Sequence, residues 1–438
     1  MTSITCYGGV AEIGGNKFLV EDLGTRVFLD FGMDFSRRRQ FYSVFSRPKS
    51  CSDLIEFGVL PRMSGVYDYD NSSCDIDAVV LSHAHMDHFQ CISLLKRDIE
   101  IYASEQTIQI IQAVMDTRRE GIENSLSGLK FKTFYNGRPF KVGDIEIIPF
   151  EVDHSIPSAH SFILHTSKGP VAYSGDFRLH GRGVRLTRNF IAHAHKEKPL
   201  VLLCEGTNIS EGDRNTERDV LKEASEIVGG SSNLVFAYFS AVDIDRLRSF
   251  YRVAEDTNRR LAISCKQAYV LGKLKNQKGI GSFLTKDILC VFKRKKRHYE
   301  KWERAVHSNF ECVEAVDMKN EQNRWIKIST MYDLDEMLEI RPNPGSVFLF
   351  SASEPFNEEM EEDFSRLRNW LGHFGVPLYN VHSSGHMMPI DIRSAVSQMN
   401  PRKLIPIHTQ SQGFYKTFLH DVVSEIVEPQ LGHTYSLD

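Results

Sequence analysis

The sequence lacks most of the marks that take a chain out of the ordinary soluble class. No stretch is apolar for ~20 residues, which excludes a membrane-spanning helix. Residues Met1 to Cys6 have neither the basic start nor the apolar run of a secretory leader. Cysteines are few and scattered: Cys6, Cys51, Cys74, Cys91, Cys204, Cys265, Cys290 and Cys312 stand singly, with no Cys-x-x-Cys pair. That pattern excludes a disulfide framework and a cysteine-based metal knuckle, and it fits reduced thiols in a cytoplasmic protein. Positive charge is not in excess either. With 53 Lys and Arg against 57 Asp and Glu the net charge is −4, so a polyanion must be held by a local basic patch or by metal ions. There is no internal repeat and no low-complexity linker.

What remains is a chain of 438 residues, 41% hydrophobic and 25% charged, enough for two or three domains with real cores. Short runs read as strands: Phe18 to Val20, the turn Asp22-Leu23-Gly24-Thr25, then Val27 to Leu29 form an edge meander. Further strands are expected at Ala78 to Leu81, Ile145 to Val152, Phe162 to Leu164, Val171 to Tyr173 and Leu200 to Leu203, with a helix over Glu105 to Met115. After Cys204 strands alternate with longer amphipathic helices, Asp219 to Val228 and Asp243 to Ala254 among them, which predicts a second α/β unit. The lysine- and arginine-rich stretch from Gly272 to Asn323 has no legible period. Strand character returns at Val347 to Phe350 and Leu404 to Ile407.

The strongest chemical signal is His83-Ala84-His85-Met86-Asp87-His88, directly after the strand Ala78 to Leu81. Imidazole nitrogen and carboxylate oxygen suit Zn²⁺ or a similar ion, and this spacing on a strand-to-helix loop lets one loop serve two adjacent metals. His193-Ala194-His195 repeats the first spacing without the Asp-His that follows, and reads as a solvated helix face. Asp153-His154 and Gly175-Asp176 each place one more His or Asp at a strand end.

With those residues the chain resembles the metallo-β-lactamase superfamily, whose pattern is His-x-His-x-Asp-His, a later His, a later Asp and a final His. The resemblance implies that His83, His85 and His154 hold one metal, that Asp87, His88 and His408 hold the other, and that Asp176 bridges them. The long interval from Asp176 to His408 contains Glu205, the segment His382-Ser383-Ser384-Gly385-His386, and His408-Thr409, which look like motifs A, B and C of the β-CASP nucleases, ribonuclease J-like members in particular. The implied fold is α/β: an αββα metallo-β-lactamase sandwich in residues 1–208, an inserted α/β β-CASP domain in 209–378, and a sandwich return in 379–438. Two departures stand out, Gln410 where a Glu often follows motif C and Met387-Met388-Pro389 where small residues are usual. The chain also ends 30 residues after His408, so the dimerisation of ribonuclease J is not carried over and the oligomeric state stays open.

The resemblance implies a ribonuclease hydrolysing phosphodiester bonds of single-stranded RNA with a two-metal-activated water, 5′ exonuclease first and endonuclease second, in the cytoplasm. The cofactors expected are two divalent metal ions, Zn²⁺ first and Mn²⁺ second. Asp87, Glu205 and His386 are the expected catalytic residues, with His386 as general acid oriented by Glu205. Ser351, Ser353, His382, Ser383 and Ser384 are the expected substrate contacts. A histidine at motif C, His408, favours RNA over DNA. The alternatives are a β-CASP DNA nuclease, a small-ester metallo-hydrolase, and a non-catalytic RNA-binding subunit. Lys293-Arg294-Lys295-Lys296-Arg297, beside Tyr299 and Trp302, reads as the one dense basic patch and by default as a solvated surface.

Overall fold

Two hairpins begin the molecule in a computed structural model that describes residues 2–43, 46–212, 215–277, 280, 287–353 and 358–437. The strands Thr2–Gly8, Lys17–Asp22 and Thr25–Leu29 run antiparallel. Leu23 and Gly24 both take positive φ, 49° and 92°, the two left-handed residues that a tight hairpin turn needs. From there Ala78–Val80, Glu100–Ala103 and Lys130–Thr133 add parallel strands, and Thr434–Ser436 pairs with Thr2–Gly8 at the other edge. A second sheet starts antiparallel through Phe140–Val142, Ile145–Val152, Ala159–Thr166 and Gly169–Tyr173, then turns parallel through Val201–Glu205, Lys403–Ile407 and Glu425–Ile426.

The two mixed sheets meet through alternate residues. Phe18, Val20, Val27, Leu29 and Val80 of the first pack with Ile147, Phe162, Leu164, Val171 and Leu203 of the second. The intervening residues Leu19, Phe28 and Val79, or Ile163, Ala172 and Leu202, are buried as well. Sheets covered on both faces read as near-continuous apolar runs rather than alternating ones. On the outer face of the second sheet lie the helices Val184–Glu197 and Pro389–Met399, whose Phe190, Ile191, Ala194, Ile392, Val396 and Met399 join Ile163, Leu202 and Leu404 in one core. This is the αββα sandwich.

The chain divides into two units, residues 1–213 with 385–438, and residues 214–384. The second unit has a fully parallel sheet in the order Cys312–Val313, Leu289–Phe292, Arg260–Ile263, Trp325–Ile328, Val235–Tyr238, Val347–Phe350, Leu378–Asn380. The helix Glu217–Gly230 starts in a capping box in which Thr216 and Asp219 satisfy each other's backbone N–H. The stretch that had no legible period contains the strand Leu289–Phe292 and the helices Lys301–Asn309 and Ala315–Asn320.

Candidate metal centre

Five strand ends of the first unit deliver the site. His83 follows Ala78–Val80, His154 follows Ile145–Val152, Asp176 follows Gly169–Tyr173, Glu205 ends Val201–Glu205, and His408 follows Lys403–Ile407. A short helix, Met86–Phe89, carries Asp87 and His88. Gly32 is required here because any Cβ on it would lie 1.6 Å from the carbonyl oxygen of Asp87.

The structure gathers all seven expected ligands. His83 Nε2 and His154 Nε2 lie 3.0 and 3.1 Å from His85 Nδ1, and 3.6 and 3.7 Å from Asp176 Oδ2. On the other side of Asp176 Oδ2, His88 Nε2 is at 3.1 Å and His408 Nε2 at 3.9 Å, while Asp87 Oδ2 is 3.1 Å from His408 Nε2 and 3.7 Å from His88 Nε2. His386 Nδ1 stands 3.8 Å from Asp176 Oδ2 and 3.6 Å from Glu205 Oε2. Asp87 and His386 keep side-chain exposures of 24% and 20%, and His85 is also half-buried.

Donor atoms that face one another at this spacing fit cations between them. A tetrahedral Zn²⁺ with bonds of about 2.0–2.1 Å sets neighbouring ligand atoms about 3.3–3.4 Å apart. Asp176 Oδ1 gives a second indication, being buried with no hydrogen-bond partner among the described residues, a costly state for a carboxylate oxygen. The far ring nitrogens of four of these imidazoles, in contrast, are occupied. His88 Nδ1 meets Asp30 Oδ2 at 2.7 Å, His154 Nδ1 donates to Gly385 O at 2.6 Å, His408 Nδ1 meets Thr207 Oγ1 at 2.8 Å, and His83 Nδ1 meets Ser82 Oγ at 3.0 Å. Such partners fix tautomer and ring orientation in metal sites.

Electrostatics sort the imidazoles into two kinds. Burial pushes His83 and His154 well below the usual range and His85 down to about 4. These three stand as neutral rings, the form that lends a lone pair to a cation. Burial also disfavours charge on His88 and His386, but carboxylates outweigh it there. Asp176, Asp87 and Asp30 hold His88 well above the usual range, and Asp176 with Glu205 brings His386 up to about 9.

Asp30 and Thr207 are functional residues that the sequence reading missed. Asp30 follows the strand Thr25–Leu29 with φ 58°, and besides His88 it accepts from Ser82 N and Ser82 Oγ at 2.7 Å and from Tyr173 OH at 2.6 Å. Its one signal in the sequence is an acid at a strand end two residues before Gly32. Thr207 touches His386 Nδ1 at 3.1 Å as well as His408. Glu205 acts as an anchor, taking Thr207 N and Met387 N on its two oxygens at 2.9 Å each. Met387 itself fills the core beneath this loop, which accounts for the large residue there. His193 and His195 stay apart on the helix Val184–Glu197, bonded to the backbone oxygens of Asn189 and Gln398.

The expected substrate contacts lie in the second unit around Arg246, which is fully buried. Its Nη1 donates to Ser351 O and Ser351 Oγ at 2.6 Å each and stands 3.4 Å from His382 Nδ1; its Nη2 donates to Glu217 Oε1 and Ser383 O at 3.0 Å each. Ser351 Oγ in turn donates to Val381 O, and Ser383 Oγ to Asn215 O. Both hydroxyls are buried and used inside the fold, so they shape their loops. Ser353 is exposed, and His382 and Ser384 are half-buried. Most of the basic run 293–297 is paired with acids: Lys293 with Glu314 at 3.2 Å, Arg294 with Asp333 at 3.5 Å and with Asp335, Lys296 with Glu303 at 2.6 Å.

The sandwich and its ligand array are similar to those of the metallo-β-lactamase superfamily, and the family model described as the Beta-lactamase superfamily domain matches residues 69–191. More particularly, the chain is similar to proteins named ribonuclease J. Ribonuclease J of Sinorhizobium meliloti is 23% identical over 353 residues, covering 77% of this chain and 58% of that protein. Ribonuclease J of Pyrococcus abyssi is 25% identical over 425 residues, covering 93% of this chain and 90% of that protein. The chain thus spans little more than half the length of the first of these relatives and most of the second. A solved protein of unknown function from Enterococcus faecalis V583 shares the fold, with TM-score 0.78 and 20% identity over 99% of both chains.

Proposed function

We propose that the protein is a metal-dependent ribonuclease that hydrolyses phosphodiester bonds of single-stranded RNA, acting as a 5′ exonuclease with endonuclease action as the second mode. The observation that carries this reading is the convergence of six ligand-type side chains on the two sides of one buried oxygen of a seventh, Asp176; the similarity to proteins named ribonuclease J supports the choice of substrate. His83, His85, His154 and Asp176 would hold one divalent ion, and Asp87, His88, His408 and the same Asp176 a second, with Zn²⁺ or Mn²⁺ as the ions that this donor set accepts. Such ions, when bound, activate water and neutralise phosphate charge.

The chain's own residues do the rest. Asp30, Ser82 and Thr207 lock the imidazoles by their far nitrogens. Glu205 holds the 386–387 loop through Met387 N and faces His386 Nδ1, and so orients the imidazolium that delivers a proton to the departing 3′ oxygen. Asp87, on the open side of the cluster, is positioned to accept a proton as water attacks. His382, Ser353 and Ser384 are proposed phosphate contacts of the second unit, on loops that Ser351, Ser383 and Arg246 hold in shape. A cytoplasmic setting is supported by eight free cysteines; no helix among the described residues is long and apolar enough to cross a membrane.

The test is a time course with 5′-monophosphorylated single-stranded RNA, DNA of the same sequence and a thioester, beside Asp87→Ala/His88→Ala. Mononucleotides from RNA alone, absent in the double variant, are expected. Internal fragments would make the endonuclease mode primary, and cleavage of DNA or the thioester in place of RNA would overturn the reading.

A further inference from the structure

The sequence between the first hairpins and the metal-binding loop carries an unused feature. Over residues 35–43 and 46–62 it has six basic residues (Arg37, Arg38, Arg39, Arg47, Lys49, Arg62) against Asp53 and Glu56; three of the six are paired with acids, Arg37 with Asp34 at 3.6 Å, Arg38 with Glu123 at 2.7 Å and Arg62 with Glu56 at 3.1 Å. Aromatic rings interleave with this charge. Two short helices, Phe35–Phe41 and Cys51–Glu56, bring Phe41 against Phe57 with ring centroids 4.0 Å apart and planes 13° from parallel. Both rings are exposed, 46% and 36%. Tyr42 is buried and backs Phe57 edge-on at 5.8 Å and 75°. With Phe57 covering one face of Phe41, the solvent-facing area of Phe41 lies on its other face and rim.

Cations border the stack. Arg37 is 40% exposed and reaches Gly58 O, next to Phe57, at 3.4 Å. Arg39, Arg47 and Lys49 are exposed. Arg38 is used differently, because it bonds Glu123 twice, at 2.7 and 2.8 Å, and ties the first helix to the 122–124 turn. The segment is also joined to the metal-binding loop. Met33 N donates to Met86 O at 3.1 Å, and Asp34 caps the first helix by accepting from Arg37 N at 2.8 Å. Seven helical residues then carry the chain about 10 Å to Phe41.

We infer that the Phe41–Phe57 stack and its basic border form a docking surface for single-stranded nucleic acid, with a base stacking on Phe41 and backbone phosphates taken by Arg37, Arg39, Arg47 and Lys49. The occupant follows from the two features together: local positive charge complements a polyanion, and an open aromatic face beside it accepts a base of any sequence. An apolar protein partner would use the rings but leave the charge excess unmatched. The inference rests on the ribonuclease reading and gives it a path for the strand outside the metal cluster.

The experiment uses the full metal-loaded chain, with binding followed on a cleavage-resistant phosphorothioate-linked strand and cleavage on an ordinary one. Anisotropy of a fluorescein-labelled single-stranded oligouridylate is followed for the wild type, Phe41→Ala, Phe41→Trp and Arg39→Glu/Arg47→Glu, with duplex RNA as the control. Phe41→Ala should weaken single-strand binding about tenfold, Phe41→Trp should restore it, and the charge reversal should flatten the dependence on salt by about one to two units of slope. Hydrolysis of bis(p-nitrophenyl) phosphate should not change in any of them. Wild-type cleavage of RNA with unaltered binding in Phe41→Ala overturns the surface and leaves the ribonuclease reading intact. Loss of binding in Phe41→Ala from a wild type that cuts no RNA upholds the surface and overturns that reading. A change of oligomeric mass in Phe41→Ala, with RNA binding intact, would make the face a protein contact and overturn the inference.

Discussion

Each unit of the molecule buries a polar cluster, and the two clusters are built on opposite principles. Around Arg246 the contacts close inside the protein: guanidinium donors meet Glu217, Ser351 and Ser383, and the serine hydroxyls donate hydrogen bonds to the carbonyl oxygens of Val381 and Asn215. Around Asp176 the outer nitrogens of the rings are satisfied in the same thorough way, but the inner ones point at each other and at a carboxylate whose second oxygen has no partner among the described residues. Closed networks specify shape; a network closed on the outside and open at its centre is built to receive a cation.

The comparison can be broken from either side. The largest effect is expected at the rim of the open cluster, where His386→Ala should lower kcat on RNA by about 10²–10⁴-fold with both metals retained. Because His386 Nδ1 also stands near Asp176, loss of one equivalent of metal in that variant would make His386 a ligand instead. Arg246→Ala strikes the closed cluster and leaves Glu217 buried without its cation, which should cost about 3–5 kcal/mol. Hydrogen exchange should report the loss in residues 214–384 while metal content per folded chain is unchanged; a metal loss equal to that of a ligand variant would erase the distinction between the clusters. The smallest effect belongs to a positioning residue. Asp30→Ala should weaken metal affinity about 10–100-fold, measured by competition with a chelator, and an unchanged affinity would assign Asp30 to folding alone.

The metal site is legible in the sequence because its pattern is local. Four potential ligands in six residues after an apolar strand have little use besides binding metal, and the remaining ligands sit at strand ends that apolar runs reveal. The αββα sandwich is legible for the same reason, since its strands are short apolar runs buried on both faces. Partners that act across the fold are not. Asp30 is 58 residues from His88, and nothing in Leu29-Asp30-Phe31 announces that the carboxylate turns inward. Charge misleads in the opposite sense. The compact run 293–297 stands out in the sequence although acids brought in by the fold pair three of its five residues. The basic residues of 35–62 include the run Arg37-Arg38-Arg39, and acids pair three of the six here too; what the sequence does not show is that folding stacks Phe41 on Phe57 among them. Ser351 and Ser383 look like phosphate donors in the sequence, and their burial under Arg246 makes them structural instead.

The proposed sharing of Asp176 by two cations is tested most directly by metal content, measured by inductively coupled plasma mass spectrometry. About two equivalents of divalent metal are predicted per wild-type chain, about one in His408→Ala, and loss of both in Asp176→Ala with the fold retained by circular dichroism. Two equivalents in Asp176→Ala, or none in a folded wild type supplied with Zn²⁺ and Mn²⁺, would contradict it.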